Sequence, residues 1–504
     1  MELDESSGNK VALPENWIEL QVKEAVINIS TTDRKIPQKL YLESGAFPVI
    51  DQGQSYIGGY TNDESMLVDC DLPVIIFGDH TKAVKHVNQR FAAGADGVKV
   101  LKPLSFLEQN FSFYTLLNAA TRLKSKGYAR HFQEFSKLKI KIPPLPEQVR
   151  IVAKLEELFS ELDQGVENLR TAQQQLKVYR QALLKHAFEG KLTADWRAQN
   201  PDKLESAEAL QARIQKEREA RYQQQLAEWR EAQQTWEAAG KTGSKPTKPK
   251  APKVLPPLTA EALMELPELP DGWNYIYLAY LGDLGRGKSK HRPRNDPRLF
   301  GGPYPFIQTG EVKSANRVVR NYSNTYSEFG LEQSKLWPQG TLCITIAANI
   351  AETAFLGFDG CFPDSVVGLL AIEKLVNPEY VDFFIQGARA RIEAYAPATA
   401  QKNINLETLE NLVIPLCCGD EQKLLMQILD ERFSIIDQLE NTITTSLQQA
   451  EALRQSILNK AFSGQLVPQH PDDEPASVLL ERISSERTAQ QPARKRGRKV
   501  ATSV

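Results

Sequence analysis

No run of apolar residues in this sequence approaches the ~18 needed to cross a bilayer, so a membrane span is not expected. The polar, acidic start Met-Glu-Leu-Asp-Glu has no signal-peptide core. Neither charge sign is in excess: 61 Lys and Arg stand against 63 Asp and Glu, a net charge of −2. The chain is therefore no polycation, and any surface for nucleic acid must be local and offset by acid elsewhere. Cysteine is scarce and badly spaced for chemistry. Cys70, Cys343, Cys361, Cys417 and Cys418 are odd in number and form no CxxC pair, which argues against a disulfide framework and a zinc site. A reducing cytosol is the expected home. The six histidines (His80, His86, His131, His186, His291 and His470) are scattered, and no metal site is expected.

Catalytic signatures are missing as well. GxSxG, HExxH and the NPP[FY] tetrapeptide of base amino-methylation do not occur. Gly282-Asp-Leu-Gly-Arg-Gly287-Lys288-Ser289 does fit GxxxxGK[ST]. A phosphate-cradling loop must run from a strand straight into a helix, whereas this one runs into Pro293 and Pro297. A mobile basic loop is the better reading. Asp296 with Glu311-x-Lys313 loosely resembles a metal-nuclease spacing, a pattern common by chance. No stretch qualifies as an active site.

What is present, first of all, is a duplication. At 504 residues the chain needs two or three cores, and 41% apolar with 25% charged residues is ordinary for globular domains. Residues 147–190 and 421–464 superimpose without a gap at a shift of 274, with Phe159 on Phe433 and Ala187-Phe188-x-Gly190 on Ala461-Phe462-x-Gly464. Such self-similarity has to be recognised before any fold is assigned. Other anchors recur around it. Leu13-Pro-x-x-Trp17 returns as Leu269-Pro-x-x-Trp273, Phe47-Pro-Val-Ile50 as Tyr304-Pro-Phe-Ile307, and Ile142-Pro143 as Ile414-Pro415. Between the anchors the halves barely match, the pattern of one architecture with two targets.

In chain order, residues 13–142 alternate short β-like runs with turns. Strands are expected at Trp17–Val22, Phe47–Ile50, Leu72–Phe77 and Gly97–Lys102, and a helix at Ser112–Leu123. After the first long helix, 203–238 reads as polar helix and 240–257 as a stiff Lys/Pro linker. Arg494–Lys499 is a short basic tail.

Apolar residues in the first copy step by threes, fours and sevens through Ile151, Leu155, Phe159, Leu162, Val166, Leu169, Leu176 and Leu183, a heptad seam. The second copy places Leu425, Leu429, Phe433, Ile436, Ile443 and Ile457 in register with it. A helix of ~43 residues is ~65 Å long and needs cover for that stripe. Each copy could pack on its own globular module, or the two could pair antiparallel about a two-fold axis. Paired, they would act as a ruler between the modules.

The remaining signal is cationic. The first module carries His80, Lys82, Lys85 and His86, then Lys124, Lys126, Tyr128, Arg130 and His131. The second carries Arg286, Lys288, Lys290, Arg292 and Arg294, then Thr399, Gln401, Lys402 and Asn403. Lys and Arg neutralise phosphates, while Arg, Gln, Asn and His reach base edges. Solvated surface charge is the bland alternative for any one cluster, and their recurrence in both modules favours DNA.

The doubled layout resembles the specificity subunit of type I restriction–modification enzymes. Ile142-Pro-Pro-Leu-Pro-Glu147-Gln148, Ala187-Phe188-Glu-Gly190-Lys-Leu192 with Thr193-Ala-Asp-Trp196-Arg197, and Ala461-Phe462-Ser-Gly464-Gln-Leu466 carry the likeness across nearly the whole chain. The resemblance implies an α+β fold with a pseudo-two-fold repeat. Target-recognition domains would occupy 1–146 and 266–420, with spacer helices at 147–192 and 421–466 forming an antiparallel coiled coil. A helical extension and linker would fill 193–265, and a helical segment with the basic tail 467–504. It further implies a non-catalytic DNA-specificity subunit binding a bipartite double-stranded DNA site. The expected partners are two methyltransferase subunits and motor/nuclease subunits, on which S-adenosylmethionine, ATP and Mg would reside; this chain would bind no cofactor. The departures are the long insertion at 198–260 and Cys417-Cys418-Gly419-Asp420, where the first copy has a Pro-Leu turn. A stand-alone DNA-modifying or DNA-cleaving enzyme and a scaffold without DNA preference are the alternatives.

Overall fold

The computed structural model describes residues 13–31, 34–95, 97–124, 129–242, 245–395 and 403–490. Its contacts divide the chain into two units, Met1–Thr171 with Ile443–Val504, and Ala172–Thr442. The fold is α+β, and each unit takes one module plus one stretch of each long helix.

In the first unit the strands are β1 (Ile18–Gln21), β2 (Val26–Ile29), β3 (Lys35–Ile36), β4 (Phe47–Ile50), β5 (Gly59–Thr61), β6 (Val74–Gly78), β7 (Val84–Val87), β8 (Ala92–Gly94), β9 (Val98–Pro103) and β10 (Lys139–Ile142). They form sheets ordered β2-β9-β6-β7 and β3-β8-β4-β5, with β1 and β10 paired antiparallel. The four strands expected from alternation are all present, with Phe47–Ile50 at its expected bounds. The expected helix starts three residues early, at Gln109, because the Glu108 carboxylate caps the Phe111 N–H. Strand β6 is buried along its whole length, and Phe77 stacks on Phe135 with ring centroids 4.1 Å apart.

The first long helix (Leu145–Phe188) begins on this core. Ile151, Leu155 and Phe159 pack among Trp17, Phe111, Ile140 and Ile142, and also against Ile457, Leu458, Ala461 and Phe462 of the second long helix (Gly419–Ala461) and the residue after it. The early part of one helix meets the late part of the other, so within this unit the pair is antiparallel. Arg454 pairs with Asp163 and lies 4.6 Å over the Phe159 ring.

The second unit repeats the plan with β11 (Asn274–Tyr277), β12 (Gly282–Arg286), β13 (Phe300–Phe306), β14 (Val318–Val319), β15 (Asn324–Tyr326), β16 (Leu342–Thr345), β17 (Thr353–Leu356), β18 (Val366–Ala371) and β19 (Val413–Leu416). Its main sheet is ordered β12-β18-β16-β17-β14, and β11 pairs with β19 as β1 does with β10. Leu183, Leu184, Ala187 and Phe188 pack with Leu425, Met426, Leu429, Phe433 and Ile436, again antiparallel. Arg180 pairs with Asp437 and lies 4.8 Å over Phe433. Each of these three residues stands 274 positions from its counterpart among Arg454, Asp163 and Phe159. Both candidate roles for the seam hold together, since its buried residues face their own module and the opposite helix at once. Leu162 and Leu169 are half-buried, and Ile443 is buried.

The Glu-Gln pair heading each long helix has a structural reason. Gln148 is fully buried; its amide donates to the carbonyls of Phe106 and Pro143 and accepts the Glu108 N–H. Gln422 makes the same three bonds to Leu375, Cys417 and Asn377. Glu108 and Asn377 are the N-caps of their modules' helices (Gln109–Thr121 and Pro378–Ala394), so one glutamine ties sheet, helix start and long helix together. The preceding glutamates diverge. Glu147 accepts the Trp17 indole N–H at 3.0 Å, and burial raises its pKa while that bond and Arg150 oppose the rise. Glu421 instead accepts from Thr193 and from Arg197, which also lies over Trp273.

Among its described residues the insertion is built on a long helix. Its helix (Ala207–Ala238), capped by Ser206, buries Leu210 and Ile214 and places Arg221 and Gln225 on Asp283. The Lys/Pro segment is held along it: Trp229 donates to the Pro246 carbonyl, Arg218 to that of Lys253, and Lys253 pairs with Glu410.

Candidate nucleic-acid interface

In the first module the site is built on the turn between β6 and β7. Gly78 is required there, because a Cβ would sit 2.3 Å from the Thr81 hydroxyl. Lys82 closes the turn in the left-handed region, at φ 60°. The Asp79 N–H donates to the Gly97 carbonyl at 2.7 Å, and the Asp79 carbonyl accepts the His131 N–H at 2.8 Å. The Asp79 carboxylate accepts the Phe132 N–H, and the Thr81 hydroxyl donates to the Gln52 carbonyl. His80 Nδ1 faces the Ala129 carbonyl at 3.2 Å; a carbonyl only accepts, so Nδ1 carries the proton. Lys82 Nζ donates to the Leu123 carbonyl. These bonds bring the 79–83 turn, Gln52, Gly97, Leu123 and the 129–132 segment into one rim.

Of the residues singled out in this module, His80 and Lys82 lie half-buried on the rim, and Lys124 and Arg130 are exposed beside it. Lys126 and Tyr128 fall outside the described residues. Lys85 and His131 lie in the interior. Lys85 is 6% exposed, donates to the Asp51 and Ser55 carbonyls, and sits 3.6 Å from the Asp51 carboxylate. Burial lowers its pKa against the opposing pull of Asp51. It ties β7 to the 51–55 segment and presents nothing to a ligand. His131 is 2% exposed. His86 stacks on Phe113 with centroids 5.8 Å apart, and burial lowers its pKa against the field of Glu108.

The second module repeats the rim. Between β16 and β17 runs the loop 346–352, with Ala348 and Ala351 both left-handed, at φ 65° and 58°. The Ile346 N–H donates to the Ser365 carbonyl, and its carbonyl accepts the Ile404 N–H. These are the counterparts of the two Asp79 bonds. Ala347 and Asn403 form an isolated β-bridge. Arg286 and Arg294 reach Asp364, next to Ser365, so the basic loop adjoins the same rim.

That basic loop begins on strand β12 and does not enter a helix, which excludes a phosphate-cradling geometry for Gly282–Ser289. Gly287 is locked against the Phe362 and Pro363 carbonyls, each 2.3 Å from where a Cβ would stand. Asp296 accepts from His291 and Arg298, which hold its carboxyl far below the usual range. Glu311 bonds the Gln308 N–H at a helix start. Lys313 Nζ donates to Asn349 Oδ1, so each of the three side chains is engaged by a partner outside the supposed triad. Arg286, Lys288, Lys290, Arg292 and Arg294 are exposed, as is Asn403; Thr399, Gln401 and Lys402 fall outside the described residues.

Sequence reading missed Gln52, Asn349, Asp364 and the whole 346–352 loop, and weighed Lys313 only as part of a nuclease-like spacing. The signal that could have found the loop is a second repeat interval. The tryptophans Trp17 and Trp273 are 256 apart and the long helices 274, but β6 and β16 begin 268 apart, at Val74 and Leu342. Aligned at 268, the β6–β7 turn falls on the β16–β17 loop.

Two copies of one α+β module with polar, cation-bearing rims, each seated on an antiparallel helix pair, define a duplicated recognition protein. The type I restriction–modification DNA specificity domain matches residues 14–169 and 270–449, and the chain belongs to that family. Its members are the non-catalytic specificity subunits of restriction–modification complexes. Against the EcoDI specificity subunit of Escherichia coli the chain is 23% identical over 503 residues, spanning 95% of this chain and 96% of that one. Against the EcoKI specificity subunit of E. coli strain K12 it is 25% identical over 378 residues, 70% of this chain and 65% of the relative. A structure from work on complex assembly and conformational transition of a type I R-M system shares the fold, with TM-score 0.58 at 16% identity over 90% of this chain and 99% of that chain. Among the described residues no helix is long and apolar enough to cross a membrane.

Proposed function

We propose that this chain supplies DNA sequence specificity to a type I restriction–modification complex, each module reading one half of a bipartite, asymmetric site. The observation that carries this reading is the duplicated rim: a loop clamped at its first residue by the same pair of backbone bonds, recurring in both modules and carrying unrelated side chains. A protein reading two identical half-sites would have no use for that divergence. The exposed cations beside each rim suit phosphate contact, which positions a protein without specifying sequence. The paired helices set the gap between the half-sites.

Two methyltransferase subunits dock on the helices, and motor/nuclease subunits join the assembly. Exposed apolar side chains support that role: Val178, Tyr179, Ile435 and Leu439 in the second unit, Val149 and Leu453 in the first. S-adenosylmethionine, ATP and Mg act on those partners, and this chain holds none of them.

Footprinting of the chain assembled with its methyltransferase subunits on genomic DNA tests the reading. Two protected blocks separated by an accessible gap are expected. One continuous block, or no protection, sinks it.

A further inference from the structure

We propose that the turn 79–83 and the loop 346–352 are the base-reading elements of the two modules, and that Asn349 reads an adenine edge in the second half-site. The inference rests on the reading above, that each module meets DNA, and adds which residues carry sequence information.

The two loops occupy one position in the fold. Each links two neighbouring antiparallel strands of its module's main sheet, β6 to β7 at one edge and β16 to β17 in the interior. Each is clamped at its first residue by the same two backbone bonds, to Gly97 and His131 in one case and to Ser365 and Ile404 in the other. Each bends through a non-glycine residue in the left-handed region: Lys82, or Ala348 and Ala351. Such backbone is retained where the surroundings enforce it, and it concentrates at functional sites. The side chains share nothing, Asp-His-Thr-Lys-Ala against Ile-Ala-Ala-Asn-Ile-Ala-Glu. Identical placement with unrelated chemistry suits elements that read different bases.

In the second module the neighbouring cations divide the labour. Arg286 and Arg294 are engaged by Asp364, Arg298 by Asp296, and Arg292 by the carbonyls of Ser289 and His291. Held in this way they can anchor phosphates. Asn349 differs. Its carbonyl accepts from the Thr345 hydroxyl, and its side-chain Oδ1 accepts from Lys313 Nζ at 3.1 Å. Its Nδ2 has no partner among the described residues. Oδ1 retains a second lone pair, so the amide still offers one acceptor and one donor side by side. That is the pair that reads adenine N6 and N7 in the major groove. An amide already fixed at its backbone and its oxygen loses little freedom on binding. Ala348, exposed at the tip, places a methyl group beside it.

The test uses the full chain assembled with its methyltransferase subunits. Methylation mapping of the host genome first defines the site for the unaltered chain. Duplexes carrying that site, with each base pair varied in turn, are then bound by the unaltered, Asn349→Ala and His80→Ala complexes. Asn349→Ala should lose ten- to hundred-fold of its discrimination at an A·T pair in one half-site, with the other half-site and the salt dependence unchanged. His80→Ala should act only on the opposite half. Discrimination retained at every position overturns the proposal. So does a uniform loss across all sequences with a shallower salt dependence, the signature of a phosphate contact. If the unaltered chain gives no two-part site, the underlying reading fails, and the proposal with it, before any variant is compared.

Discussion

Seven residues inserted after Thr171, with seven more after Thr445, should widen the gap in the recognised site by about three base pairs and leave both half-sequences unchanged. A heptad preserves the phase of the seam, and at 1.5 Å per residue it adds about 10.5 Å, against about 3.4 Å per base pair. Both helices have to be lengthened. Phe159, Asp163 and Arg454 fix the antiparallel register in one unit, and Phe433, Asp437 and Arg180 fix it in the other. An insertion in one helix alone must break one of these sets, and should cost assembly rather than change spacing. Methylation mapping reads the outcome directly. Altered half-sequences after the double insertion would count against a spacer role.

Gln148→Leu should destabilise the first module by about 3–5 kcal/mol. The substitution strands two buried carbonyls, those of Phe106 and Pro143, and the N–H of Glu108. Each stranded group costs about 1–3 kcal/mol, with some relief from local relaxation. The loss is a large part of the 5–15 kcal/mol that holds an ordinary domain together. Gln422→Leu should do the same to the second module through Leu375, Cys417 and Asn377. Hydrogen exchange resolves the modules separately. The amides of β6 and β9 should lose protection in the first variant, and those of β16 and β18 in the second. Unchanged protection in both would mean that the glutamine latch does not hold the long helix to its module.

The parts of the molecule most legible in its sequence are those where local pattern and tertiary role coincide. The long helices announce themselves by a gapless repeat, and their seam residues, Leu162, Val166, Leu169 and Leu176 apart, are buried because one stripe serves both the module and the opposite helix. Strands such as Phe47–Ile50 follow from alternation and turn residues. The rims were harder to read, because their logic is non-local. Lys85 looks like a surface cation in sequence, yet it is taken inside by carbonyls 34 and 30 residues away. His131 is drawn inward beside a turn 52 residues earlier, its N–H on the Asp79 carbonyl. Asn349 sits among alanines with no charge to mark it, and only the sheet order gives its loop the place that the β6–β7 turn takes in the first module. The basic loop at 286–294 was visible as charge, but its attachment to the rim through Asp364 was not.

The central claim is that two modules read two half-sites independently. Its most direct test replaces residues 13–142 with the corresponding module of another family member and maps adenine methylation in cells that supply the methyltransferase subunits. One half of the methylated sequence should change, and the other half and the gap should stay as they are. A change in both halves, or in neither, would contradict the account.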